Sequence, residues 1–405
     1  MRKRMKRILT GTLTAALAAS MIPAGAMAQG SGADRSGQTG GFVTDAPLQL
    51  EKTGGVTIGT ADKDGGVAEI AAYNKDNQNV YVVNGQQGLL NMIPVNADGS
   101  LGTPKEIQVK DLISGFQYGD MTSVDVDTVN KHIVIALQAA DYAKAGRIAV
   151  LDYDGNLVAS YETGVQPDMI KVSKDGQWIL TADEGEPREG YGEGTADPAG
   201  SVTIVNTKTN QVTIAGFDKF DAQALAKEGV LFNKIDGKML SAAQDLEPEY
   251  IALDPSGSKA YVSLQEANAI AVLDLNAGVF TSVKSAGFQD YSKAGNEIDL
   301  VEDGGYHAAL YKDAVGVRMP DGISTFEVNG VTYIATANEG DAREWGDFTN
   351  EEKETLTAAD GKEAEKVRVL DKNVTAVPDE NLNYIFGSRS FSIFRADNME
   401  LVYDS

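Results

Sequence analysis

Residues 166–206 read QPDMIKVSKDGQWILTADEGEPREGYGEGTADPAGSVTIVN and decide the fold of this chain. Two alternating runs, 169–172 and 178–180, flank a Lys-Asp-Gly turn, a pattern that predicts a β-hairpin. An acidic segment at 183–186 then leads into a third apolar run at 201–205. The stretch therefore predicts a small antiparallel sheet with carboxylates at one end.

The same unit recurs twice further along the chain, around residues 247–274 and 320–341. In each copy a carboxylate opens the first strand and a glutamate lies at the corner after the second strand. The carboxylate and the glutamate are 16 residues apart in the first copy (Asp168 and Glu184), 17 in the second (Glu249 and Glu266) and 18 in the third (Asp321 and Glu339). Weaker copies lie upstream, at 67–95 and 120–152. Near-constant spacing indicates one repeated geometry.

Repeated units of this kind cannot bury their faces alone and must stack around a shared core. The most economical arrangement of three- or four-stranded units is a β-propeller, because its radial closure protects sheet edges. We therefore predict an all-β β-propeller domain over residues 51–405, with about seven blades. Insertions at 217–238, 285–317 and 344–371 interrupt the repeats; the first predicts a short helix and the third a solvated helical excursion.

Residues 1–28 have a basic start, an apolar stretch and an Ala-Met-Ala segment, which together predict a secretory signal peptide. A membrane anchor is the less favoured alternative, because the apolar stretch is short and interrupted. Residues 29–50 predict a disordered leader, and no later stretch approaches a membrane span. The final strand pair, 390–394 and 401–405, leaves an unpaired apolar edge, so we expect a truncated C-terminus. These features predict a secreted or cell-surface protein.

The chain carries 35 basic and 59 acidic residues, a formal net charge of −24, and no cysteine. The charge argues against binding to nucleic acid or to anionic lipid, and favours attraction of cations. The absence of cysteine excludes disulfides and thiol chemistry, which a chain of this length does not need for a large core.

Three motifs occur in one order: 183–187 with 200–202, then 246–252 with 264–272, then 320–323 with 336–344. Together they resemble the bacterial choice-of-anchor I domain over roughly residues 50–405. That family is similar to the mesenchyme-specific cell-surface glycoproteins of biomineralising embryos, and its members are often labelled alkaline phosphatase. The resemblance implies a secreted or surface-anchored, propeller-like protein whose C-terminal anchor varies between members. No anchor is visible in this sequence.

In a propeller, matching blade positions converge on one face, so the acidic residues of the three motifs are expected to approach one another. Converging carboxylates repel unless they are protonated, paired with Arg188 or Arg343, or bridged by a cation. Calcium suits such oxygen ligands best. We therefore predict metal ligation by one or more of Asp168, Asp183, Glu184, Glu186, Glu249, Glu266, Asp321, Glu339 and Asp341. The open alternatives are salt-bridged structural corners and a catalytic arrangement.

Two functions follow from these residues. The first is a non-enzymatic surface protein that binds calcium, mineral or an extracellular protein. The second is a calcium-dependent phosphohydrolase, either alkaline phosphatase-like or phytase-like, in which cations clamp a phosphate. Such a site also needs converging basic residues, and only Lys171, Arg188, Arg318 and Arg343 lie near the motifs. No nucleophile or zinc motif is present, so no catalytic residue is assigned and the first function is favoured.

Overall fold

The computed structural model describes residues 51–59, 68, 70–85 and 87–405. The predicted signal peptide at 1–28 and leader at 29–50 lie outside these residues. The described chain consists mainly of strands, with two short helices, α1 (Ala222–Lys227) and α2 (Ala242–Asp245). None of its helices is long and apolar enough to cross a membrane.

Five antiparallel four-stranded sheets, called blades 1 to 5, follow one another along the described chain. Blade 1 contains β1 (Ala71–Asn74), β2 (Asn79–Asn84), β3 (Leu89–Pro94) and β4 (Lys105–Gln108). Blade 2 contains β5 (Tyr118–Asp127), β6 (His132–Ala139), β7 (Ala145–Asp152) and β8 (Leu157–Val165). Blade 3 contains β9 (Pro167–Val172), β10 (Trp178–Asp183), β11 (Ser201–Asn206) and β12 (Gln211–Gly216).

Besides the predicted insertion at 285–317, two insertions, called here the first and the second insertion, separate or interrupt the later blades. The first holds α1, β13 (Phe232–Ile235), β14 (Lys238–Met239) and α2. Blade 4 follows as β15 (Ile251–Leu253), β16 (Lys259–Leu264), β17 (Ala269–Asp274) and β18 (Val279–Ser285). After β19 (Phe288–Asp290) and β20 (Ala314–Val317), blade 5 starts with β21 (Pro320–Val328) and β22 (Val331–Asn338). The second insertion holds β23 (Glu344–Trp345), β24 (Phe348–Thr349), β25 (Glu351–Thr357), β26 (Glu363–Leu370), β27 (Thr375–Ala376) and β28 (Asn383–Phe386). Blade 5 then ends with β29 (Phe391–Arg395) and β30 (Leu401–Asp404).

The predicted hairpin of blade 3 is confirmed as β9 and β10, which pair in antiparallel register. Its turn is closed by Asp175, whose carboxylate accepts hydrogen bonds from the Ser173 hydroxyl (2.6 Å) and the Gln177 amide (3.1 Å). Gly176 has a φ of 67°, a conformation that glycine adopts without steric cost. The predicted third strand is β11, and β12 adds a fourth strand at its outer edge.

Both faces of the central blades are buried, and β6 shows how. Ile133 and Ile135 point to one side and join the core shared with blade 1, whereas Val134 and Ala136 point to the other and join the core shared with blade 3. Similar cores lie between blades 3 and 4 and between blades 4 and 5. The first strands of successive blades (β1, β5, β9, β15, β21) also contact one another. Blades stacked face to face with their first strands innermost make the fold a β-propeller, as predicted; about seven blades were expected, and five lie within the described residues.

The short helix predicted in the insertion at 217–238 is confirmed as α1. Asp221 caps its N-terminus by accepting hydrogen bonds from the backbone amides of Gln223 (2.9 Å) and Ala224 (3.3 Å). The ring of Phe217, just upstream, stacks on Phe280 of blade 4 with centroids 4.2 Å apart. The insertion is thereby fixed to the blade that follows it.

The helical excursion predicted at 344–371 is wrong, because this insertion forms the antiparallel pair β25 and β26. Both belong to a five-stranded sheet in the order β19-β20-β28-β26-β25, in which β20 and β28 run parallel. In β26 the buried residues Ala364, Val367 and Val369 alternate with exposed charged ones. The Glu- and Lys-rich composition therefore marks the solvated face of a strand, and the apolar residues between the charges bury the other face.

Candidate functional site

First strands begin, and second strands end, at the same end of every blade, and the predicted acidic residues collect there. We call this end the corner face. At the corner of blade 3 the Asp183 carboxyl is fully buried. The hydroxyls of Thr181 (2.7 Å), Ser201 (3.0 Å) and Thr203 (2.7 Å) donate hydrogen bonds to it, and the Gly164 amide donates another (3.2 Å). Burial raises the pKa of Asp183 to about 7, although these hydrogen bonds oppose the rise.

Blade 5 repeats this corner with asparagine in place of aspartate. Asn338 ends β22 as Asp183 ends β10, and its side-chain oxygen accepts a hydrogen bond from Thr336 (2.8 Å). Its amide nitrogen donates to the hydroxyls of Ser390 (2.9 Å) and Ser392 (2.7 Å). A neutral side chain thus makes the equivalent hydrogen bonds in blade 5, as expected if the corner has a structural role.

The next two predicted ligands, Glu184 and Glu186, lie beside Arg188. The Arg188 guanidinium donates a hydrogen bond to the Glu186 carboxylate (Nε to Oε2, 3.0 Å) and another to Gln138 of blade 2 (3.0 Å). Its Nη2 atom is 4.0 Å from the Glu184 carboxylate. Both glutamates are 8% exposed. The geometry of this part of the corner matches a salt-bridged structural corner, which the sequence left open as an alternative to metal ligation.

The most deeply buried charges surround Arg343, which follows β22 and is 1% exposed. Its Nε atom donates to the Glu247 carboxylate (2.9 Å), and its Nη2 atom donates to the Asp245 carbonyl (2.7 Å). The Asp245 carboxylate is 3.5 Å from Nη1. Glu266, 2% exposed, adds a third carboxyl to the electrostatic environment of this guanidinium. We call these four residues the Arg343 cluster.

Two neighbouring segments hold the Arg343 cluster in place. The side chain of Asn233 and its backbone amide both donate to the Asp245 carboxylate, at 3.1 and 2.6 Å. Asn350 accepts a hydrogen bond from the Arg343 amide (2.9 Å) and donates its own amide to the Arg343 carbonyl (3.2 Å). The cluster is therefore assembled from the first insertion, blade 4 and the second insertion.

The Arg343 cluster carries more negative than positive groups. Burial raises the pKa of Glu247 well above its usual range; Arg343 opposes the rise, and Glu266, Asp245 and Glu186 increase it. Burial also raises the pKa of Asp245. Only one Glu247 oxygen accepts from Arg343; the other, Oε1, is buried and has no hydrogen-bond partner among the residues that the structure describes. Three carboxyls facing one guanidinium favour the uptake of a positive charge, whether a proton or a cation.

The remaining predicted ligands are spread over the corner face. Glu249 is buried just before β15, Asp168 and Asp321 are half-buried in the first strands of their blades, and Asp341 is half-buried while Glu339 is exposed after β22. Within the part of the chain that the structure describes, no three His, Cys, Asp or Glu side chains are arranged to hold one metal ion. Metal ligation by these residues stays a prediction, and it requires side chains to turn.

Sequence reasoning missed Asp245 and Glu247 as members of the site. Glu247 lies in the motif at 246–252, but the repeat aligns Glu249, and not Glu247, with Asp168. Asp245 ends α2, outside any repeat. The available signal was the Glu-x-Glu pattern at 247–249, whose two carboxylates are both buried in the structure.

The four basic residues near the motifs are all engaged with carboxylates. The pairs of Arg188 and Arg343 are described above. The Lys171 ammonium lies 3.2 Å from the Asp125 carboxylate, which raises the pKa of this lysine. Arg318 lies 2.7 Å from Asp404 in a largely buried pair. These cations are committed to intramolecular pairs and do not converge on one open site.

Radially stacked four-stranded blades define a β-propeller. The chain belongs to the choice-of-anchor I domain family, whose sequence profile matches residues 69–405. The predicted resemblance is thereby confirmed. No curated protein gives a significant match.

Several solved structures resemble the fold at low sequence identity. Hydrazine synthase of Kuenenia stuttgartiensis is 13% identical, with 67% of this chain and 80% of that chain covered and a TM-score of 0.36. A gluconolactonase of Xanthomonas campestris is 14% identical, with coverages of 80% and 82% and a TM-score of 0.37. A protein from Lactobacillus plantarum is 14% identical, with coverages of 78% and 72% and a TM-score of 0.38. These similarities carry no inference about activity.

Proposed function

We propose that the chain is an exported cell-surface β-propeller that serves in binding rather than catalysis, and that its corner face takes up calcium. Family membership and the signal-peptide pattern at 1–28 support the location. The charge excess of the Arg343 cluster carries the calcium proposal. An extracellular protein or a mineral surface is the expected partner of such a face.

Calcium fits the chemistry of the donors better than other cations would. The cluster offers carboxylate oxygens only, which are the ligands that hard cations prefer. A proton on Glu247 is the competing way to balance the charge, because no described residue hydrogen-bonds its Oε1 atom. Binding of calcium requires the Glu247 and Glu266 side chains to reorient, since no three carboxylates are preset for it among the described residues.

The test is the thermal midpoint of the mature protein at pH 8 in millimolar calcium and in EDTA. Calcium at a hundred times its Kd stabilises by about 2.7 kcal/mol. We expect calcium to raise the thermal midpoint of the parent protein accordingly and to leave the midpoint of Glu247→Gln unchanged. The matched control is Glu327→Gln, an exposed glutamate of β21, which should keep the full rise.

A parent protein whose midpoint is unchanged by calcium would refute calcium binding. If Glu247→Gln then raised the midpoint in EDTA at pH 8, a proton would be the balancing charge. A rise that survived in Glu247→Gln would place calcium elsewhere.

The phosphohydrolase alternative is tested in the same samples with p-nitrophenyl phosphate. Lys171, Arg188, Arg318 and Arg343 are each paired with a carboxylate, so these four cations do not form a convergent set for a phosphate. We expect no turnover. Turnover that EDTA abolishes would replace the binding function by a hydrolase.

A further inference from the structure

A cleft of about 630 Å³ opens on the corner face between blades 1 and 2, and the function proposed above does not use it. Its size falls in the range of small-ligand sites. It lies where β2 ends and β5 begins, and its chemistry comes from Lys110, Asp111, Phe116, Gln117, Tyr118 and Asp120.

Two aromatic rings in the cleft are held in fixed positions. The Tyr118 hydroxyl donates a hydrogen bond to the Gly85 carbonyl (3.1 Å). The Phe116 ring lies under the Arg147 guanidinium, 5.6 Å from the ring centroid. Both rings are half-buried, so part of each faces the cleft. Preorganised rings offer apolar contact area at low entropic cost.

Three polar side chains beside these rings are available. Lys110, Asp111 and Gln117 are exposed, and none of their side chains makes a hydrogen bond or ion pair with another described residue. An ammonium, a carboxylate and an amide together provide both donors and acceptors. The cleft therefore combines the exposed parts of two aromatic rings with unused groups of both hydrogen-bonding types.

We propose that this cleft binds a saccharide, which deepens the surface-binding function by naming a ligand class. A sugar ring presents an apolar C–H face that stacks on an aromatic ring, and hydroxyls that both donate and accept hydrogen bonds. A phosphate group is disfavoured, because two carboxylates outnumber the one lysine in the cleft. A quaternary ammonium group is disfavoured because it carries no hydrogen-bond donor or acceptor and would leave Lys110, Asp111 and Gln117 unused.

The experiment is calorimetric titration of the mature protein, in EDTA, with cellohexaose, chitohexaose and hexagalacturonic acid. Inorganic phosphate and choline are titrated as competing ligand classes. We expect at least one oligosaccharide to bind, and Lys110→Ala/Gln117→Ala to weaken it about tenfold or more, the loss of one or two hydrogen bonds. Both residues are exposed, so the double variant should keep the parent thermal midpoint.

The matched control is Lys219→Ala/Gln223→Ala, an exposed pair in the first insertion, which should bind as the parent does. Binding of no oligosaccharide, binding of phosphate or choline instead, or equal binding by the cleft variant would each overturn the proposal. Because calcium is chelated, a failure of calcium binding does not affect this result. Phosphatase turnover would overturn the proposed function and leave the cleft titration to be judged separately.

Discussion

Replacing Arg343 by methionine removes the only guanidinium of the buried cluster while keeping a side chain of comparable length. Glu247 and Asp245 then lose a partner at 2.9 and 3.5 Å, respectively. Breaking a buried ion pair from one side costs about 3–5 kcal/mol, because the remaining charge stays buried. The hydrogen bond to the Asp245 carbonyl adds about 1 kcal/mol. We expect the free energy of unfolding to fall by about 4 kcal/mol or more at pH 8.

The loss should be smaller in acid. Burial already raises the pKa of Glu247 and of Asp245, and removal of Arg343 raises both further. Between the unfolded pKa, near 4, and the raised native pKa, the native state binds more protons than the unfolded chain, so stability falls as pH rises through this window. The slope reaches about 1.4 kcal/mol per pH unit for each proton. The difference between parent and variant is therefore expected to shrink from pH 8 to pH 5.

Urea unfolding in EDTA at both pH values measures the effect. Lys284→Met is the control, because this lysine also pairs with a glutamate, Glu228, but the two side chains are 46% and 54% exposed; its loss should cost less than about 1 kcal/mol. The charge balance inferred for the cluster would be refuted if Arg343→Met lowered the free energy of unfolding by less than about 1 kcal/mol at pH 8, or if the loss were larger at pH 5 than at pH 8.

Three further changes test other parts of the fold. Asp183→Asn should keep the hydroxyl contacts of the corner, as Asn338 does, and should lessen the decline in stability between about pH 4 and pH 7 by the share that the raised pKa of Asp183 contributes; urea unfolding of parent and variant across that range measures the difference. Gly340→Ala should destabilise by more than about 2 kcal/mol, since its Cβ would lie 2.2 Å from backbone atoms, whereas Gly322→Ala, with nothing within 4 Å, should cost little. Arg318→Met should cost about 3 kcal/mol in the same assay, because its carboxylate partner would stay buried without a cation.

The strands and hairpins of the blades were readable from local pattern. The alternation in 169–172, the Lys-Asp-Gly turn and the run beginning at Trp178 each depend on neighbouring residues only, and the structure has a hairpin there. The same local logic failed at 344–371, where charged residues are dense. Charge density favours a solvated helix and a half-exposed strand equally, and only the buried face of β26 distinguishes them.

Chain periodicity determined by itself that this protein is an all-β repeat with carboxylates at one end of its blades, because period-two alternation and recurring turns are local properties. The tertiary structure decided which carboxylates are partners. Arg343 meets Glu247 across 96 residues of sequence, and Asp183 is held by hydroxyls from a neighbouring strand. The electrostatics of a carboxyl depend on burial and on charges close to it in space, and both are set only when distant segments pack together.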